Sequence, residues 1–318
     1  MHLAAVREAN ETYRAKNQQD ASPVYVFAGA TSGIGASTLS RMADMSSSPT
    51  FYVIGRSESR FATQRLLLGK ANPSCRVIFL EAEFSLLSHV DRVCKKIADS
   101  THKVDGLYMS PGMIPLNGAS YTHEGLETCF AISYYSRMLL TERLLPLLRK
   151  SRDPKVMCVL NGGKEAVIGL DNLGLENSWT PLAVVGHSTT MTTLSFEHLA
   201  QDNRHITFMH VYPGWVRTDN FARLTAPESA SIFWGMALAL IRSLAETLAF
   251  LFGTSAEECA ERQVFHLTDP RYGPGVRRIG HQSEEIAETP VLREYKESSL
   301  AESVWDHNKR IFDRVLNG

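Results

Sequence analysis

Glycine recurs at positions 29, 33 and 35 in the turn Ala28-Gly29-Ala30-Thr31-Ser32-Gly33-Ile34-Gly35, directly after the apolar run Pro23-Val-Tyr-Val-Phe-Ala. The next stretch, Ala36 to Met45, is patterned as a helix. Glycine lets a chain turn sharply and lets backbone N–H groups approach a ligand closely. The positive end of the following helix then suits a pyrophosphate. A plain turn needs glycine too, but a strand before it and a helix after it favour a nucleotide-binding turn.

The rest of the chain repeats that alternation. Phe51 to Ile54 and Arg76 to Leu80 read as strands, followed by a helix from His89 to Ala98 and a strand from Val104 to Met109. Then come a long helix from His123 to Lys150, a strand from Lys155 to Leu160, a helix from His187 to Gln201 and a strand from His205 to Val211. Strands alternating with helices imply right-handed crossovers and a parallel sheet covered on both faces, so a doubly wound α/β fold of Rossmann type is expected. No repeat or Pro/Gly/Ser linker divides the 318 residues. The expected organisation is a polar N-terminal helix (1–22), one domain (23–275) with an apolar lid (219–263), and a C-terminal extension (276–318). That extension ends in an amphipathic helix with Leu300, Val304, Ile311, Phe312 and Val315 on helical spacing.

Composition excludes several classes of function. With 33 basic and 34 acidic side chains the net charge is −1, and no basic cluster offers a groove for nucleic acid. The five cysteines are scattered without zinc-ligand spacing, so no metal is expected and the thiols read as reduced. Arg7, Glu8, Glu11 and Arg14 interrupt the N-terminus where a signal peptide needs an apolar stretch, which points to the cytoplasm. The apolar run Ala230 to Ile241 stops at Arg242, short of the roughly 20 residues of a membrane span. An interfacial helix touching a membrane surface, or one covering substrate, stays open.

These motifs resemble the short-chain dehydrogenase/reductase family, whose first turn has the same glycine spacing, with Ala28 here in place of the leading threonine. The resemblance implies that Gly29, Thr31, Ser32, Gly33, Ile34 and Gly35 bind a nicotinamide dinucleotide. Gly55-Arg56-Ser57 resembles the end of the family's second strand, where such an arginine meets a 2′-phosphate. With no acidic residue there, NADP is expected in preference to NAD. Glu83 takes the slot of an aspartate beside the adenine. Met109-Ser110-Pro111-Gly112 takes the slot of the family's N-N-A-G and keeps only its glycine, leaving Ser110 and Gly112 as cofactor contacts. Tyr212-Pro213-Gly214-Trp215-Val216-Arg217-Thr218 resembles the P-G-x-V-x-T loop, assigning Pro213, Gly214, Val216 and Thr218 to the nicotinamide.

The family's proton-donating pair is missing from the sequence. None of the ten tyrosines is followed by lysine at the fourth position, and no lysine lies between Lys164 and Lys296. The tyrosine and lysine slots fall on Val185 and Thr189, the serine slot on Asn161 and the asparagine slot on Ser133. Asn161, Lys164, His187 and Ser188 are therefore the candidate catalytic residues, with His123, Tyr134 and Tyr135 read as packing. Three functions fit: NADP-dependent oxidoreduction with a non-standard proton donor, an isomerisation, cyclisation or pericyclic step guided by orientation, and cofactor binding without catalysis. The apolar lid implies a hydrophobic small-molecule substrate. Ser-Tyr-Tyr-Ser-Arg together with Asn-Gly-Gly-Lys-Glu resembles a divergent fungal branch, which implies secondary-metabolite tailoring. Family members often form homo-oligomers, but these helices do not fix a number.

Overall fold

The computed structural model describes residues 1–16, 22–218 and 231–318. Its strands β1 (Val24–Ala28), β2 (Thr50–Gly55), β3 (Arg76–Glu81), β4 (Gly106–Met109), β5 (Lys155–Val159), β6 (Thr207–Val211) and β7 (Gly275–Ile279) form one sheet. The order is β3-β2-β1-β4-β5-β6-β7, with every neighbouring pair parallel. Strands β1, β4, β5 and β6 are buried throughout, which explains their nearly continuous apolar runs.

Helices cover both faces. One core layer joins the sheet to α4 (Leu87–Ser100), α6 (Ser136–Leu148), α7 (Pro181–Asp202), α10 (Pro290–Glu297) and α11 (Leu300–Asn317). The other joins it to α1 (Leu3–Lys16), α2 (Gly33–Ala43), α3 (Glu58–Ala71) and α9 (Ala256–Thr268). The C-terminal helix docks as its spacing predicts, burying Leu300, Val304, Ile311 and Phe312, with α7 as its main neighbour.

Several boundaries differ from the sequence reading, each for a local reason. Helix α7 starts at Pro181, because the Thr180 side chain accepts the Ala183 N–H and proline suits a first helical turn. The long helix expected from His123 begins only at Thr128, and His123 lies in an exposed turn. From α5 (Thr128–Phe130) it passes through a π-helical segment, Ala131–Tyr135, into α6. The polar helix α3 buries only Phe61 and Leu68, too little for a clear pattern. β7 escapes notice because Arg277 and Arg278 interrupt it, Arg278 reaching Glu197 of α7 at 3.7 Å.

The expected lid divides in two. Residues 219–230 lie outside the described residues, as do 17–21 of the expected N-terminal segment. Helix α8 (Ile232–Phe252) continues through Arg242, and Phe233–Phe252 is long and apolar enough, by length and composition, to cross a membrane. Its Phe233, Met236, Leu240 and Phe250 are exposed. By contrast α9, placed partly in the lid by its sequence, buries Cys259, Ala260, Val264 and Phe265, packs against α1 and α2, and belongs to the core.

Candidate functional site

In a doubly wound sheet a crevice opens at the carboxyl edge where the strand order reverses, here between β1 and β4. A cavity of about 660 Å³ occupies that edge. Its floor is the glycine turn. Gly29 has φ +76°, and a Cβ there would lie 2.5 Å from the Pro111 nitrogen. At Gly35 a Cβ would lie 2.4 Å from the Gly29 carbonyl oxygen. The hydroxyl of Ser110 donates to the same carbonyl at 3.2 Å, tying the ends of β1 and β4 together. Larger residues would push the two segments apart.

Helix α2 opens onto this floor. Its N-cap, Ser32, makes no side-chain capping bond, whereas Ser57, Thr180, Ser255 and Thr289 cap α3, α7, α9 and α10. First-turn amides have no partner within their own helix, so those of Gly33, Ile34 and Gly35 suit an acidic ligand.

The other cofactor candidates line the same cavity. Thr31 is in the turn, Arg56 follows β2, Glu83 follows β3, and Ser110 and Gly112 follow β4. Pro213, Gly214, Val216 and Thr218 follow β6. That last loop is pinned by Arg217 N–H donating to Thr254 O at 3.0 Å and Thr254 N–H donating to Trp215 O at 2.8 Å. A Cβ on Gly33 would come 3.2 Å from Thr218 Cγ2, so floor and loop meet across the cleft. The close glycine floor and the first-turn amides of α2 fit the pyrophosphate of a nicotinamide dinucleotide.

The four catalytic candidates separate. Asn161, two residues beyond the end of β5, lines the cavity. Lys164 is exposed, and its Nζ lies over the Tyr212 ring, 5.4 Å from the centroid. Tyr212 lines the cavity, so Lys164 stands beside the cleft without being part of its wall. His187 and Ser188 do not line it. His187 is buried in α7, where Nε2 accepts the Gly169 N–H at 3.1 Å. Burial lowers its pKa, partly opposed by the Leu173 backbone. Buried away from the cavity, this ring is not placed to act as the expected donor. Ser188 is buried and turns its hydroxyl onto Val185 O at 3.2 Å within its own helix. The six residues of α7 ahead of His187 carry both side chains into the interior instead of to the cleft.

The family slots give the same picture. Val185 is 40% exposed and Thr189 is buried. Tyr134 bonds Ser195 at 2.8 Å and Tyr135 bonds His307 at 2.7 Å, so both phenols are committed to packing.

Besides Tyr212, two residues escaped the sequence reading. His210 of β6 is buried and supports the segment after β5: Asn161 N–H donates to its Nε2 at 3.3 Å, and its Nδ1 pairs with Thr193 Oγ1 at 2.8 Å. Arg137 of α6 is 1% exposed and borders the cavity. The available signal was an arginine inside an otherwise apolar helix, Ser136-Arg-Met-Leu-Leu.

Residues 23–166 match the family model for short chain dehydrogenases. The chain is 34% identical to an oxidoreductase of Emericella nidulans, covering 92% of this chain and 93% of that one. It is 33% identical to the oxidoreductase lepF of Aspergillus flavus, covering 99% and 96%. Among solved structures, a short chain dehydrogenase of Shigella flexneri complexed with NADP superposes with a TM-score of 0.54 at 15% identity, covering 85% of this chain and 99% of that one.

Proposed function

The chain belongs to the short-chain dehydrogenase family, and on that premise we propose that it is an NADP-dependent oxidoreductase acting on a hydrophobic carbonyl or alcohol. The observation that carries this reading is one cavity lined by all the residues expected to hold the dinucleotide, with Asn161 on the same wall. The turn from Gly29 to Gly35 and the first amides of α2 would hold the pyrophosphate, and Arg56 a 2′-phosphate. Among the described residues no carboxylate forms an ion pair with Arg56, so its charge is available for that contact.

When bound, the reduced nicotinamide supplies a hydride. The chain's part is to place the carbonyl, draw charge toward its oxygen and deliver a proton. The Asn161 amide donates to that oxygen, and the Tyr212 phenol, with the Lys164 ammonium over its ring, is the proton source on the cavity wall. His187 and Ser188 support α7 and take no part. The exposed apolar residues of α8, with Leu248, Phe252 and Trp215 beside Tyr212, favour an apolar substrate. A tailoring role in secondary metabolism is read from the Ser-Tyr-Tyr-Ser-Arg and Asn-Gly-Gly-Lys-Glu segments, and the relatives from Emericella nidulans and Aspergillus flavus are oxidoreductases.

One observation favours orientation-driven isomerisation or cyclisation as a second reading: the tyrosine and lysine slots hold Val185 and Thr189. Deuteride-labelled NADPH separates the two. Incubated with a panel of apolar carbonyl compounds, the protein is expected to place deuterium on the former carbonyl carbon. Conversion without label or nucleotide consumption would favour the second reading. Absence of binding to both NADPH and NADH in calorimetry would sink both.

A further inference from the structure

Arg137 carries a charge that its surroundings do not neutralise. Its guanidinium donates to Val159 O at 2.9 Å, to Met109 O at 3.3 Å, to Cys158 Sγ at 2.8 Å and to Pro111 O. These acceptors are at or just beyond the carboxyl ends of β4 and β5. Among the described residues no carboxylate is within ion-pairing distance, and Nε is buried without a partner. Dehydrating a cation is costly, and replacing a buried charge by neutral groups of similar shape is often neutral or stabilising. Bonds to carbonyls alone could come from an uncharged amide, so tying the strands together does not account for the charge.

The field of that charge extends along the carboxyl edge. His210 stands on β6, with Cys158 of β5 as its register partner. Its pKa is pushed down to about 3, first by burial and then by the Arg137 guanidinium. The segments after β4, β5 and β6 that carry Gly112, Asn161 and Pro213 therefore lie in the positive potential of a buried charge.

We propose that Arg137 is a fixed electrostatic group that sets the redox preference of the cleft, favouring the reduced nicotinamide, whose ring is neutral, over the oxidised ring, which is a cation. The same field favours negative charge on a substrate oxygen and opposes the cationic ring that hydride loss leaves, so it sets which form of the nucleotide the cleft holds and not the speed of the transfer. This inference rests on the reading that the cleft binds a nicotinamide dinucleotide. Arg137 acts through space and is a positioning residue for charge, not a catalytic one.

Equilibrium titration of the full chain with NADPH and with NADP⁺ tests it without turnover. Both ligands carry the same phosphates, so the ratio of their Kd values isolates ring charge. The wild type is expected to bind NADPH at least tenfold more tightly than NADP⁺. Arg137→Gln, which keeps donors but removes charge, should cut that ratio at least fivefold. Arg137→Lys should retain most of it. Equal affinities in the wild type overturn the proposal, even if neither variant folds. So does a folded Arg137→Gln with an unchanged ratio. A wild type that binds neither ligand overturns the nucleotide reading itself, a result distinct from binding both equally.

Discussion

Nε2 of His210 accepts the backbone N–H of Asn161 across 3.3 Å, so the asparagine on the cavity wall is held from behind by a buried ring. With Nε2 accepting, Nδ1 carries the proton and donates to Thr193 Oγ1, whose hydroxyl donates to Glu165 Oε1 at 2.7 Å. Gly163 N–H meets the same carboxylate oxygen at 3.1 Å. The chain begins and ends within residues 161–165, and it makes a glycine-rich segment that could move into one with a fixed shape.

Thr193 is the link in that chain with a near-isosteric replacement. Thr193→Val keeps volume but leaves His210 Nδ1–H without an acceptor and Glu165 with only the Gly163 N–H, in a buried site. The expected cost is about 1–3 kcal/mol in urea unfolding. Turnover should fall several-fold while NADPH affinity stays within twofold, because the glycine turn is untouched. Unchanged stability would show that the network is not maintained in solution.

The pH dependence of stability should be dominated by buried histidines. The pKa values of His210 and His266 are held near about 3 and that of His307 near about 4, each chiefly by burial. An unfolded histidine titrates near 6.5, so the unfolded state binds more protons between these values. Stability is then full above about pH 6.5 and declines as pH falls toward the folded values. Each histidine contributes about 1.4 kcal/mol per pH unit inside its window. His266 has no hydrogen-bond partner at either ring nitrogen, so His266→Phe removes one titration without breaking a bond. Unfolding free energies from pH 6 to 4 should fall less steeply in the variant by about that slope. Parallel profiles would refute the assignment.

Arg56 separates the two nucleotides. Its guanidinium follows Gly55 at the end of β2 and lines the cavity, and Ser57 beside it caps α3. Arg56→Ala should weaken NADPH by about 10- to 100-fold, the loss of one or two charge-assisted hydrogen bonds, and leave NADH within threefold. Equal loss for both would place Arg56 on the shared pyrophosphate or adenosine instead.

That the glycine turn and the segments after β2, β3, β4 and β6 line one cavity was legible because it is written locally. Gly29 and Gly35 are required by contacts within a few residues or with the segment after neighbouring β4, and the other expected cofactor residues follow strand ends that periodicity locates. The reacting end is assembled from distant segments, and one turn of helix decides whether a side chain meets the cleft. His187 and Ser188 were misplaced because α7 starts at Pro181, where the Thr180-Pro181 start signal went unread. Arg137 and Tyr212 were overlooked for the opposite reason: each was visible in a quoted motif, but only the fold shows which strand ends they border. β7 was missed because an edge strand half-covered by helices tolerates Arg277 and Arg278.

Asn161 and Ser188 give the sharpest test of the reacting end, since both were candidates and only one lines the cavity. Removing a preorganised donor to a developing oxyanion costs about 10²–10³ in rate, whereas removing a hydroxyl bonded within its own helix costs only stability. Asn161→Ala should therefore lower kcat about 100-fold with NADPH affinity within twofold. Ser188→Ala should leave kcat within twofold and shift the urea midpoint only slightly. Lys164→Met should fall between them, because the ammonium stands over the Tyr212 ring and reaches the chemistry through it. Tyr212→Phe should match or exceed that loss if the phenol supplies the proton. Wild-type turnover in Tyr212→Phe would leave Asn161 polarising the carbonyl and assign the proton to solvent entering beside Trp215.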